Sequence, residues 1–369
     1  MNHICAIQKK LTEKNWDFLL LTDERNQRYA GGFPFTDGFV LISREAAWII
    51  TDSRYEEAAR EAVGSGTASK PQPEVLLFTR EHPRMKILKE LIHRYGSTPE
   101  PRLAVEDGRL SHTEYLNLER MLGIRLVSSE NVMETLRSSK DDEELRFMIQ
   151  AQRISERALE DTLQIIRPGM TEKEVAAELV YRMLRYGSEG NAFDPIVVTG
   201  KNTSKPHGVP GDTVIREGDL LTMDFGSLKG GYCSDMTRTV AVGSATEEMK
   251  NVYDIVLKAQ LAGIAAARSG IAGREIDSAA RSVIRDAGFG DYFGHGFGHS
   301  LGLEIHERPV AGPTEDRLMP DGAVCSAEPG IYIPGKYGIR IEDVMIIREN
   351  GAEVITKAPK AELTVIGNC

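Results

Sequence analysis

The chain has 369 residues, a length that suggests two domains, and its 41% hydrophobic and 27% charged content is ordinary for a soluble globular protein. A formal net charge of −10 argues against a nucleic-acid partner, which needs a basic face. Four cysteines (Cys5, Cys233, Cys325 and Cys369) without paired spacing argue against a disulfide framework or a zinc ribbon. The N-terminal stretch lacks the apolar core of a signal peptide and no run is long enough to span a bilayer, so a cytoplasmic enzyme without membrane association is expected.

Residues 1–130 alternate elements. A helix to about Asn15 precedes strands over 17–23, 39–43, 47–52 and 74–79, with helices over 55–63, 83–95 and 111–122. That order predicts a small α/β domain with a mixed sheet, and it contains no phosphate-cradling glycine loop. GGFPFTDG, at 31–38, is a turn-rich loop with two exposed-looking aromatics, Phe33 and Phe35. An ordinary surface loop is the favoured reading, with a binding role at a dimer interface as the alternative. The boundary falls near 128–140, and a second domain runs from 131 to 369.

Ser139 offers an N-cap for a long amphipathic helix with acidic residues in its first turn. Helices follow over 171–186, 246–269 and 273–287. Between and after these pairs lie two β hairpins of the same construction. In GDLLTMDFGSLKGGYCSDMTRTVAV, Asp224 and Asp235 flank a glycine-rich turn, which sets the two carboxylates opposite each other, roughly 5 Å apart. In GAVCSAEPGIYIPGKYGIRIEDVMII, Glu328 and Glu342 flank a turn around Gly335. Gly218, Asp224 and Gly226 correspond to Gly322, Glu328 and Gly330, and RPGMTEKEV resembles RSGIAGREI upstream. Helix–helix–hairpin therefore occurs twice, an internal duplication giving an α+β domain with a curved antiparallel sheet. Four carboxylates converging from two halves repel unless positive charge joins them, and two divalent ions supply it.

GHGFGHSLGLEIHERP adds His295, His299 and His306. Its glycines make a helix implausible, and the four-residue spacing keeps His295 and His299 on one side of an extended segment. With His299, the carboxylates form an oxygen-rich set suited to Mn²⁺, Co²⁺ or Zn²⁺.

The ordered set DFG, GYCSD, GHSLG, EPG and IRIED resembles the pita-bread metallopeptidases, the family of methionine aminopeptidase, aminopeptidase P and prolidase. RYAGGFPFTDGFVLI and TDSRY resemble the creatinase-type N-terminal domain of its proline-specific members, which short methionine aminopeptidases lack. The resemblance spans essentially the whole chain. It implies a dinuclear-metal peptidase that hydrolyses the Xaa-Pro bond at the N-terminus of dipeptides or short peptides, as a homodimer, with two divalent ions per chain and Mn²⁺ first among them. It implies Asp224 on one metal, His299 and Glu328 on the other, and Asp235 and Glu342 bridging. Glu328 would shuttle the proton, His207 and His306 would hydrogen-bond the substrate or its oxyanion, and His295, Arg340 and Tyr332 would contact substrate. Thr237 would support the carboxylates. Two positions depart from the family pattern: Ser300 stands where Gly is usual, and Val310 where prolidase-like sequences often carry Arg, which implies that longer Xaa-Pro peptides are accepted. The alternatives are a methionine aminopeptidase, a creatinase-like hydrolase, and a catalytically silent binding module on the same fold.

Overall fold

The structure is a computed structural model that describes residues 3–64 and 71–367. Its chain divides into two units, Met1–Leu136 and Arg137–Cys369.

The first unit contains α1 (Ile4–Lys14), β1 (Phe18–Leu21), α2 (Glu24–Gly31), β2 (Gly38–Ser43), β3 (Ala47–Thr51), α3 (Glu56–Gly64), β4 (Glu74–Leu77), α4 (Arg84–Tyr95), β5 (Leu103–Val105), α5 (His112–Leu122), β6 (Leu126–Ser128) and α6 (Val132–Arg137). Its mixed sheet runs β4-β3-β2-β1-β5-β6. The inner strands are apolar on both faces because both faces are covered; Phe18, Leu20, Leu41 and Trp48 pack with Ile87, Leu88 and Leu118 from the helices. Three elements leave little trace in the sequence. β5 and β6 are too short to show a period. α2 is polar, but its N-cap Asp23 accepts from the Arg25 and Asn26 amides, and buried Gln27 donates to the carbonyls of Leu21 and Gly38. The 31–38 loop also differs from expectation. Phe35 is buried in its own unit, stacked on Phe33 and close to Tyr55, while Asp37 pairs with Arg54 at 2.8 Å. Its aromatic residue is core, not exposed decoration.

In the second unit α7 (Asp142–Leu163) and α8 (Glu172–Arg185) precede β7 (Ile196–Thr199), β8 (Leu220–Phe225), β9 (Leu228–Lys229), β10 (Tyr232–Cys233) and β11 (Met236–Val242). The second half repeats the plan. α9 (Glu247–Ala266) and α10 (Gly273–Asp286) precede β12 (Gly298–Ser300), β13 (Glu307–Ala311), β14 (Val324–Ala327), β15 (Gly330–Ile333), β16 (Tyr337–Arg340), β17 (Asp343–Arg348), β18 (Gly351–Val354) and β19 (Val365–Ile366). Asp141, not Ser139, caps α7, forming a capping box with Glu144; the Ser139 hydroxyl donates instead to the Asp321 carbonyl at 2.6 Å. Each half has its own core. Leu159, Val175, Leu179, Leu221 and Met223 pack in the first, and Val256, Ile276, Ile284, Ile339 and Met345 in the second. The sheets β19-β11-β8-β7 and β13-β12-β14-β17-β18 carry one hairpin each. Among the described residues Cys5, Cys233 and Cys325 form no disulfide, and Cys369 lies outside them. No helix among the described residues is long and apolar enough to cross a membrane.

Candidate active site

Both long hairpins break at or beside the acidic residues. In the first, Asp224 on β8 pairs with Thr237 on β11, and the same register continues beyond the break from Leu228 to Cys233. Asp235 therefore lies diagonal to Asp224 on the same face, not directly opposite as the sequence suggested. In the second, Ala327 pairs with Asp343 and Gly330 with Arg340, a constant register that sets Glu328 opposite Glu342. Backbone amides in the second break turn outward: Glu328 N–H donates to the Phe297 carbonyl at 2.8 Å, and Glu342 N–H to the Thr237 carbonyl at 3.1 Å. That second bond joins the two halves at the site.

β12 brings in the histidine. His299 pairs with Val310 on β13, and its Nε2 lies 3.2 Å from Glu328 Oε1 and 3.6 Å from Asp235 Oδ2. Its neighbour must be glycine, because a Cβ on Gly298 would lie 2.0 Å from the Ser326 carbonyl oxygen. Ser326 locks the pair, accepting from the His299 amide and donating to Glu328 Oε1, both at 3.0 Å.

The other contacts are one-sided. Arg340 donates to Asp224 Oδ2 at 2.6 Å, and Thr237 Oγ1 to Glu342 Oε2 at 2.7 Å. The remaining oxygens, Asp224 Oδ1, Asp235 Oδ1 and Glu342 Oε1, are buried without a hydrogen-bond partner among the described residues. Burial raises the pKa of all three carboxyls; their mutual repulsion pushes Asp235 and Glu342 well above the usual range, and Arg340 partly offsets the rise at Asp224. Burial alone would raise Glu328 too, but the bond and charge of His299 bring it down to about 2. Burial alone would lower His299, but Glu328 and Asp235 raise it to about 9.

These groups line a cavity of about 850 Å³ that also includes His207, His295 and His306. The His306 ring stands edge-on to His299 with centroids 4.4 Å apart, and burial plus the His299 charge lower its pKa. Arg340 donates to the Tyr332 hydroxyl at 2.8 Å, which lies 2.9 Å from His295 Nε2. His295 Nδ1 is 2.8 Å from the Gly296 carbonyl, an acceptor only, so the proton sits on Nδ1 and Tyr332 donates to Nε2. Both His295 nitrogens are thus engaged, and its pKa is lowered by burial.

The structure brings Asp224, Asp235, His299, Glu328, Glu342, His207, His295, His306 and Arg340 to this one cavity, with buried Tyr332 behind His295 and Arg340. Sequence reasoning missed Ser326, although a hydroxyl two residues before Glu328 on one strand shares its face.

Residues 146–349 match the family model described as metallopeptidase family M24, and residues 4–139 match the Creatinase/Prolidase N-terminal domain. The chain belongs to metallopeptidase family M24. It is 38% identical to the structure of an Xaa-Pro dipeptidase from Bacillus anthracis, with a TM-score of 0.90 over 98% of this chain and 99% of that one. An X-Pro aminopeptidase structure from Thermotoga maritima matches at 35% identity and a TM-score of 0.88, over 96% and 99%. An Xaa-Pro dipeptidase of Pyrococcus furiosus is 35% identical over 95% of this chain and 97% of its own. The pita-bread fold and peptidase class expected from the sequence are those of the molecule.

Divalent metal is part of this family's chemistry, and the residues fit it. Asp235, His299 and Glu342 each offer a ligand atom within 4.8 Å of the others. The unpartnered oxygens are hard donors held in a buried, mutually repelling group, an arrangement that a cation relieves.

Proposed function

We propose that the chain is a cytoplasmic Xaa-Pro peptidase acting on dipeptides and short peptides. Two divalent ions, Mn²⁺ first and Co²⁺ or Zn²⁺ as substitutes, would be held by Asp224, Asp235, His299, Glu328 and Glu342, with Asp235 and Glu342 shared between them. The observation that carries this reading is the set of buried, unpartnered carboxylate oxygens on Asp224, Asp235 and Glu342 around His299. The relatives named for Xaa-Pro substrates support the specificity.

When bound, the ions supply a nucleophilic water at neutral pH and polarise the scissile carbonyl. The protein's own groups do the rest. Glu328, ionised and oriented by Ser326, takes the proton released at the attacking oxygen and carries it to the proline nitrogen. His306, with its lowered pKa, is neutral near pH 7 and has one N–H to offer the oxyanion, with His207 lining the same cavity. His295 has spent both nitrogens on Gly296 and Tyr332, so it offers substrate a ring face instead of a hydrogen bond. That suits proline, whose nitrogen carries no N–H.

Peptide length follows from the lining and room of the cavity. Val310, paired with His299 across the strands, offers no cation to a dipeptide's carboxylate, and Arg308 and Arg317, which line the same cavity, are both paired with Glu315. The volume of about 850 Å³ lies near the upper end of ordinary small-molecule sites and leaves room beyond proline. With Mn²⁺ restored after chelation, Ala-Pro and Ala-Pro-Ala should both be cleaved at least about 10-fold faster than Ala-Ala, the discrimination that pocket shape alone provides. Preference for Met-Ala-Ser would make this a methionine aminopeptidase. A homodimer is expected from the family resemblance. Light scattering of active protein tests it, and a fully active monomer would remove it.

A further inference from the structure

The break in the second hairpin raises a question of backbone satisfaction. Glu328 and Glu342 turn their amides to Phe297 and Thr237, so the ladder between their strands is open at this level. Buried carbonyls beside such an opening need donors. One side chain supplies them from behind the sheet. Gln260, fully buried on α9, donates from Nε2 to the Ala327 carbonyl at 2.9 Å and the Ile341 carbonyl at 3.2 Å. These are the residues immediately before Glu328 and Glu342.

We infer that Gln260 is a positioning residue for the metal centre, fixing the separation of Glu328 and Glu342 by bridging the carbonyls that precede them, with Lys360 holding its amide in that orientation. This rests on the metal-centre reading above. An amide can flip, but Lys360 Nζ has only donors and lies 2.6 Å from Gln260 Oε1, which turns the NH₂ toward the carbonyls. Lys360 is itself anchored by an ion pair with Asp343. The other Asp343 oxygen accepts from Arg238 at 2.8 Å, and Arg238 donates to the Glu342 carbonyl at 2.6 Å. Glu342 is thus held on three sides. Its amide meets Thr237, its carbonyl Arg238 and one carboxylate oxygen the Thr237 hydroxyl, leaving Oε1 alone without a partner.

The first half has a smaller version of the device. Ser155, fully buried on α7, accepts from the Ser227 amide at 3.2 Å and lies 2.9 Å from the Ser234 hydroxyl, beside the break that carries Asp235. A helix-borne polar side chain plugs each opening. Ser155 meets an amide and a hydroxyl, whereas Gln260 bridges two backbone carbonyls where two carboxylates face each other in register.

The test uses the full chain, stripped with chelator and titrated with Mn²⁺ alone against a competing chelating dye. Gln260→Met keeps length and volume but removes both donors, and should weaken Mn²⁺ binding about 10- to 100-fold, the range for outer-sphere partners of a metal site. At saturating Mn²⁺, kcat on Ala-Pro should fall while KM changes less than about twofold, because the substrate pocket is untouched. Lys360→Met should weaken Mn²⁺ binding in the same direction, and Lys360→Arg should restore it. Wild-type Mn²⁺ affinity and kcat in Gln260→Met, with only thermal stability lost, would make Gln260 structural and overturn the inference. Should Gln260→Met fail to fold, Lys360→Met carries the test alone, and unchanged Mn²⁺ affinity there overturns it too. A wild-type chain that binds no Mn²⁺ overturns the metal-centre reading itself.

Discussion

Asp235→Asn should lower peptidase activity by more than about 100-fold, exceeding the usual cost of losing a mere outer-sphere partner, and leave the protein short of at least one metal ion per chain. The reason is geometric. Asp235 carries an unpartnered oxygen, lies diagonal to Asp224 and within reach of His299, and shares a metal-ligating cluster with Glu342. An amide there keeps the volume but loses the charge that makes the oxygen a ligand. Stability should move the other way in chelated protein. Removing one charge from a set whose members raise each other's pKa relieves repulsion, so the stripped variant should melt no lower than stripped wild type. Metal analysis, kcat on Ala-Pro and melting curves of both proteins check the three parts. Full wild-type activity in a metal-free preparation would sink the assignment.

The duplication, the acidic pairs and His299 were legible because each leaves a local mark: a carboxylate in an apolar strand, a glycine where backbones approach, a repeated order. Register was not. Asp224 faces Thr237 because the first ladder pairs at an offset that counting outward from the turn does not reveal. The second hairpin has the facing geometry expected of both. Phe35 misled for a related reason: an aromatic in a turn-rich stretch looks exposed until Tyr55, twenty positions later, is found beside it. Gln260 is the clearest case. A glutamine on a helix resembles a solvated residue, and its burial follows from partners at 327, 341 and 360, which no window of sequence joins. Ligand identity is a chemical property of single residues, whereas support is a property of pairs brought together by the fold.

The melting temperature of chelated protein should fall as pH rises from about 6 to about 9, and the gap to the metal-loaded protein should widen over the same range. In the metal-free fold His299 titrates at about 9, above its ordinary value of 6.5, because Glu328 and Asp235 hold its proton against the cost of burial. A group raised on folding contributes stability that is fully present below its unfolded pKa and lost as pH climbs through the folded one. Asp235 and Glu342, also raised, act with the same sign: their carboxyls are tolerated protonated and destabilise once ionised. Glu328, lowered to about 2, has the opposite sign, but its contribution is complete above its ordinary value of 4.5 and stays constant across this window. For His299 alone the difference amounts to about 3 kcal/mol, or roughly 6–12 °C in a domain of this size. Metal binding requires the deprotonated forms, so loading is favoured as pH rises and the ions then cancel the repulsion that the bare carboxylates would feel. Differential scanning fluorimetry of stripped and Mn²⁺-loaded protein in buffers from pH 6 to pH 9 reads both curves. Parallel curves, with a constant gap, would mean that these four side chains do not titrate as a metal-binding set.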